Sequence, residues 1–148
     1  MENRHGLCAA ITVHSPIAQD KPTVALAQVD EHRELHAARI TTLGGDKVYH
    51  QKKFVAGCRE RKVSPHAACK NRTEVDGLDG RTTGRAGYRT SQRVRKRVEE
   101  IFGWMKTVGD LRRSRDRGVE RTQAWAYCVA GTYNLLRITK LGLSLQAG

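Results

Sequence analysis

Two carboxylates stand out by what surrounds them. Asp46 follows Gly44-Gly45 at the end of a short apolar run, Ile40 to Leu43, and Glu99 lies in the basic segment that runs from Arg93 to Lys106. At about 100° per helical residue, Arg95, Glu99 and Lys106 fall within about 40° of one another, so the spacing Arg-x3-Glu-x6-Lys puts them on one face. Asp and Glu supply the oxygen ligands that hard divalent cations require. Ions held that way can activate an attacking hydroxyl and stabilise the leaving oxygen of a phosphodiester. Arginine and lysine beside them suit the phosphate itself.

The composition agrees with a polyanionic partner. Lysine and arginine number 27 against 15 acidic residues, giving a net charge of +12 and a pI near 10.1, the footprint of nucleic-acid binding. The candidate DNA contacts are Arg93, Arg95, Lys96, Arg97, Lys106, Arg112 and Arg113, which crowd around Glu99; read without Glu99, the same residues are an ordinary solvated face. A membrane surface is disfavoured because no Lys-rich stripe opposes a broad apolar one. The uncharged run Thr122 to Leu136 is too short and too polar to span a bilayer. It reads as a buried helix. Met1 to Leu7 is polar and lacks the pattern of a secretory signal. The four cysteines form no close pair, which favours buried thiols in a reducing, cytoplasmic setting over a zinc or redox motif. His32 and His36 are four apart, but in the order His-Arg-Glu-Leu-His they read as solvated helix residues rather than a metal pair.

These residues need elements to position them. At 148 residues the chain reads as one globular unit, and 39% hydrophobic with 28% charged residues is ordinary folded usage. Leu7 to Val13 and Ile40 to Leu43 read as short strands, with Gly44-Gly45 turning the chain before Asp46. Thr23 to Ala38 and Gln51 to Arg61 carry helical spacing, and Val63 to Ala68 reads as a third strand. Strand and helix thus alternate, as in an α/β sheet, whose catalytic groups gather at strand ends. Residues 70–90 show no periodicity and read as a long loop. A helix is expected from Ser91, as its N-cap, to about Lys106–Gly109, with Val94, Val98, Ile101, Phe102 and Met105 as its apolar stripe, and a last one over Val119 to Leu141. Trp104, Trp125, Tyr127 and Tyr133 read as core anchors.

Several blocks resemble one family closely. Asp79-Gly80-Arg81-Thr82-Thr83, then Gly87-Tyr88, then Ser91 through Gly109, resemble the C-terminal catalytic signature of bacterial insertion-sequence DDE transposases. So do the opening Met1 to Leu7, the segment Leu43-Gly44-Gly45-Asp46-Lys47, and the closing Tyr133-Asn134-Leu135 with Arg137. The resemblance implies an RNase H-like mixed sheet flanked by helices, with residues 1–148 forming the C-terminal part of the catalytic domain. It implies that Asp46 and Glu99 are catalytic, metal-binding carboxylates for Mg²⁺ or Mn²⁺, and that Arg95 and Lys106 contact DNA near the reacting phosphate. The implied partner is double-stranded DNA, at element ends and target, with self-association or association with an intact transposase. Two departures are expected to matter. The family's first aspartate has no counterpart, Asp20 and Asp30 falling in a loop and on a helix, and the usual Gly-Tyr-Asp after Asp-Lys is replaced by Val48-Tyr49-His50. The expectation is a truncated transposase, inactive alone. The rival readings are a non-catalytic DNA-binding remnant that modulates transposition, and a ribosomal-type RNA-binding protein, which explains the charge but not the Arg-x3-Glu-x6-Lys face.

Overall fold

The computed structural model describes residues 1–15, 20–37, 39–69, 78, 80–113 and 117–146. The chain forms two compact units, Ala18–Arg95 and, from both ends of the chain, Met1–Ile17 with Lys96–Gly148. It is mixed α/β, mostly helical, with a two-stranded parallel sheet.

The central unit begins with α1 (Lys21–His36). Pro22 lies in its first turn, where a missing N–H costs nothing, and the helix stops where Ala37 turns left-handed (φ 48°). Strand β1 (Thr42–Gly45) and strand β2 (Ser64–Ala67) pair in parallel, Gly45 opposite Ala67, and α2 (Lys52–Glu60) is the crossover that parallel pairing demands. Phe54, Val55 and Cys58 of α2 are fully buried. Phe54 and Cys58 pack with Val29 and Val63, while Val55 packs with Ala67 and Leu78. Arg61, just past α2, grips both carboxylate oxygens of Asp30 on α1 at 2.7–2.9 Å. Gly57 lets the two helices close up, since a Cβ there would lie 2.6 Å from Leu26. Asp20 and Asp30 therefore serve α1, one at its N-cap and one in this ion pair.

Two boundaries differ from expectation. β1 begins two residues later than Ile40 and includes both glycines. Gly45 is needed for room rather than for a turn: a Cβ would stand 2.7 Å from the Tyr49 ring packed against it. Part of the expected 70–90 loop is helical, as α3 (Gly80–Thr83) and α4 (Ala86–Val94); residues 70–77 and 79 lie outside the described residues. Ser91 is consequently not an N-cap but a buried residue within α4.

The terminal unit is built on α5 (Lys96–Thr107) and α6 (Val119–Gln146). Ile101 and Met105 of α5 pack against Val129 and Ala130 of α6, with Trp104 edge-on to Tyr133. Val98 is half-buried, and Phe102 is half exposed. α6 is not the buried helix its composition suggests: Trp125, Tyr127, Leu135, Leu136 and Ile138 are 44–68% exposed, and Cys128 is exposed too. Among the described residues no helix is long and apolar enough to cross a membrane.

Among the described residues, the strand expected over Leu7 to Val13 finds no strand to pair with. Instead it lies along α6, and side-chain amides of the helix satisfy its backbone. Asn134 accepts from the Cys8 N–H (2.8 Å) and donates to the Cys8 carbonyl (2.9 Å). Gln123 does the same for the Val13 N–H (2.6 Å) and the Ile11 carbonyl (3.0 Å). The lengths match: eleven helical steps of about 1.5 Å and five extended steps of about 3.3 Å both come to roughly 16 Å. The hook before it is fixed likewise, Arg137 donating to the His5 carbonyl (2.8 Å) and Tyr133 to the Gly6 carbonyl (3.3 Å). Replacing Asn134 by Leu leaves two backbone groups unpaired, and chemical denaturation is expected to show a loss of about 2 kcal/mol; an unchanged midpoint would mean that water replaces the amide at no cost.

Candidate functional site

Asp46 sits immediately after β1, at its carboxyl end, as expected. It caps a single 3-10 turn, Lys47–Tyr49, by accepting from the Val48 N–H at 2.9 Å, and it is exposed. The turn is right-handed, and Val48 is not among the residues with positive φ. A β-branched residue therefore fits where the sequence pattern leads one to expect glycine. Tyr49 folds back over Gly45. Burial first, then the nearby charges of Asp46 and Asp20, raise its pKa.

The strand that leads to Asp46 is held by its pairing with β2, and β2 in turn rests on a polar seat that sequence reasoning missed. Tyr88 of α4 donates to the Ala67 carbonyl (2.9 Å) and Gln92 to the His66 carbonyl (2.6 Å), while His66 Nδ1 and Ser91 Oγ share a buried bond of 2.7 Å. The His66 and Tyr88 rings meet edge to face, and Cys69 Sγ lies 3.5 Å from the Tyr88 hydroxyl. Burial, reinforced by Cys69, pushes Tyr88 up to about 12, so it stays a donor. Burial also pushes the Cys58 thiol up to about 11, which marks it as a packing residue. The available signal was the helical spacing of Tyr88, Ser91 and Gln92, a stripe of polar rather than apolar residues.

The second carboxylate, Glu99, lies in the first turn of α5, where a negative charge is favoured by the helix dipole. Glu99 and Lys106 are both exposed on this helix, as are Lys96 and Arg97. The helix expected to run on from Ser91 is divided at Arg95, which belongs to the central unit and closes α4 by donating its N–H to the Ser91 carbonyl (2.9 Å). Arg95 is half-buried, with Nε buried and without a hydrogen bond, and its charge acts on the Tyr88 hydroxyl. Arg93, Arg112 and Arg113 are exposed. Asp46 and Glu99 thus stand on different units, and among the described residues no group of three or more His, Cys, Asp or Glu is placed to hold a metal ion. Each of the two supplies oxygen donors of the kind Mg²⁺ takes.

A family model described as Transposase DDE domain matches residues 2–135. The chain belongs to the transposase DDE domain family. Comparison with curated proteins gives no match, and comparison with solved structures gives none either. Membership in this transposase family agrees with the basic, phosphate-seeking composition. In the structure the opening Met1 to Leu7 and the closing Tyr133 and Arg137 meet in one hydrogen-bonded hook.

The polar seat of the transposase domain carries a pH dependence. Burial lowers the pKa of His66 below the usual imidazole value. A group whose folded pKa is depressed contributes stability that is intact above the unfolded value, about 6.5, and is lost as pH falls through the folded one. Thermal melts are expected to fall between about pH 7 and pH 5, and less so in His66→Asn; equal falls in both proteins would assign the effect to other groups.

Proposed function

We propose that the chain works in DNA transposition as the C-terminal part of an RNase H-like catalytic domain, cleaving at element ends and joining the freed 3′ hydroxyl to target DNA. The observation that carries this reading is the family match over residues 2–135 together with Asp46 at the carboxyl end of a parallel strand. Parallel β1-α2-β2 connectivity supports the fold assignment, and strand ends of such sheets are where catalytic groups collect.

Asp46 and Glu99 are the residues that would hold Mg²⁺ or Mn²⁺, which when bound activates the attacking oxygen and stabilises the leaving one. Asp46 is presented by the turn it caps, and Glu99 by a rigid helix. Lys96, Arg97 and Lys106 flank Glu99 on α5 and bind the DNA backbone, with Arg112 and Arg113 beyond its end and Arg93 and Arg95 at the end of α4. With two carboxylates the ligand set is incomplete, so the chain alone is inactive, and a further aspartate comes from a separate polypeptide such as an intact transposase. A second reading, a non-catalytic DNA-binding remnant that modulates transposition, is favoured by one observation: Asp46 already does a turn residue's work by capping.

Calorimetry with Mg²⁺ or Mn²⁺ separates the two. Asn is as good a cap as Asp, so Asp46→Asn removes the charge and keeps the turn. Asp46→Asn and Glu99→Gln are each expected to weaken metal binding by at least about tenfold; wild-type protein that binds no metal would leave the remnant reading. Affinity for duplex DNA is expected to drop by more than about tenfold between roughly 50 and 200 mM salt, because neutralised phosphates release counterions. An affinity insensitive to salt would remove the electrostatic basis of both readings.

A further inference from the structure

Helix α6 has more surface than the terminal unit uses. Val129 and Ala130 face α5, and Gln123 and Asn134 hold the extended segment. A third side remains. Ala124, Cys128, Gly131, Leu135, Ile138 and Gly142 are all exposed and follow one another at steps of 4, 3, 4, 3 and 4 residues, the spacing that keeps a seam on one face of a helix. None of them is charged, and at about 100° per residue Arg137 and Lys140 point more than about 130° away from the middle of the seam. The hydroxyls beside it are bonded within the helix, Thr132 to the Cys128 carbonyl (2.9 Å) and Thr139 to the Leu135 carbonyl (3.0 Å), so covering them leaves neither donor unpaired. Glycine weakens a helix interior, yet a Cβ at Gly131 or Gly142 would meet no atom within 4 Å. Among the described residues, nothing inside the chain requires glycine at either position.

We infer that this seam is a self-association surface, independent of the proposed reaction, on which a second copy of the chain lays its own α6 antiparallel about a two-fold axis level with position 133. That register sets Leu135 of each copy over Gly131 of the other, Ile138 against Cys128, and Ala124 against Gly142, so large residues meet small ones. A parallel pair would set Leu135 on Leu135 and Gly131 on Gly131, a bulge beside a void. Antiparallel packing also brings the exposed Arg121 of each copy to the last turn of the other's α6, the helix end that favours a cation. A face without charge does not suit DNA, and it is where a chain of net charge +12 can approach its own kind without repulsion. Trp125 and Tyr127 flank the seam at 44% and 59% exposure. Such rings cover about 150–250 Å² each when buried, so the two offer about 200 Å². With Leu135, Ile138 and the small residues the face comes to roughly 500 Å² per copy, and twice that is the roughly 1,000 Å² at which specific interfaces begin. The pair is therefore a reversible dimer rather than a permanent one.

Sedimentation equilibrium of the full-length chain in reducing buffer, from low to high micromolar concentration, is expected to show a monomer–dimer equilibrium. Gly131→Leu enters open space and improves helix propensity, so it is expected to fold as wild type does by circular dichroism. Its added side chain would collide with Leu135 of the other copy, weakening the dimer by at least about tenfold. Leu135→Ala is expected to weaken it as well, whereas Leu35→Ala, on α1 and equally exposed at 68%, leaves it unchanged. The register is read by mild oxidation: Ile138→Cys is expected to form an intermolecular disulfide with the native Cys128, and the double variant Cys128→Ser/Ile138→Cys to form none. A chain that stays monomeric throughout, or a dimer that Gly131→Leu leaves intact, would overturn the surface. Cross-linking of wild type through Cys128 to Cys128, with none gained in Ile138→Cys, would overturn the antiparallel pairing.

Discussion

An extended segment that lacks a neighbouring strand must still find partners for its N–H and C=O groups, and in both units a helix supplies them through side chains. In the central unit Tyr88 and Gln92 donate to the carbonyls of Ala67 and His66, so side chains of α4 fasten the end of β2. In the terminal unit Asn134 and Gln123 each act as donor and acceptor, imitating the two-way exchange of a sheet ladder along Cys8 to Val13. Unpaired groups at such positions cost more than a made bond gains. The packing of α2 on the sheet, and of α5 on α6, then adds apolar burial to a backbone already accounted for.

The helices α1 and α2 were legible because apolar spacing marks them, and Asp46 was placed correctly because a strand must end somewhere near two glycines. What escaped was everything held by polar groups. α4 carries Tyr88, Ser91 and Gln92 where an amphipathic reading looks for apolar residues, so its helical start at Ala86 was hidden inside an apparent loop. Gly45 was read as a turn residue, whereas it ends β1 and leaves space for the Tyr49 ring, a contact no local rule encodes. Leu7 to Val13 has the composition of a strand and the conformation suits it, yet its partner is a helix more than a hundred residues away. Trp125 and Tyr127 were assigned to a core by size alone, and α6 turns them outward.

The site was legible residue by residue and not as a constellation. Sequence spacing joined Arg95, Glu99 and Lys106 on one continuous helix, whereas the break after Val94 gives Arg95 to the unit that carries Asp46 and leaves Glu99 on the other. The family match covers both units, but the blocks that resemble the family do different jobs. The hook between His5-Gly6 and Tyr133-Arg137 is architecture, while Asp46 and Glu99 are exposed acids, one capping the turn after β1 and the other in the first turn of α5.

The amide clamps on α6 also give the terminal unit a mechanical direction. Force drawing Cys8 to Val13 along the helix axis loads the Asn134 and Gln123 clamps in parallel, so four hydrogen bonds must give way together. Force lifting the segment away from the helix loads them one after the other, beginning at whichever end is pulled. The same four bonds therefore make a stiff joint against sliding and a zip against peeling, and Cys8 to Val13 would leave the helix by the second route long before the first.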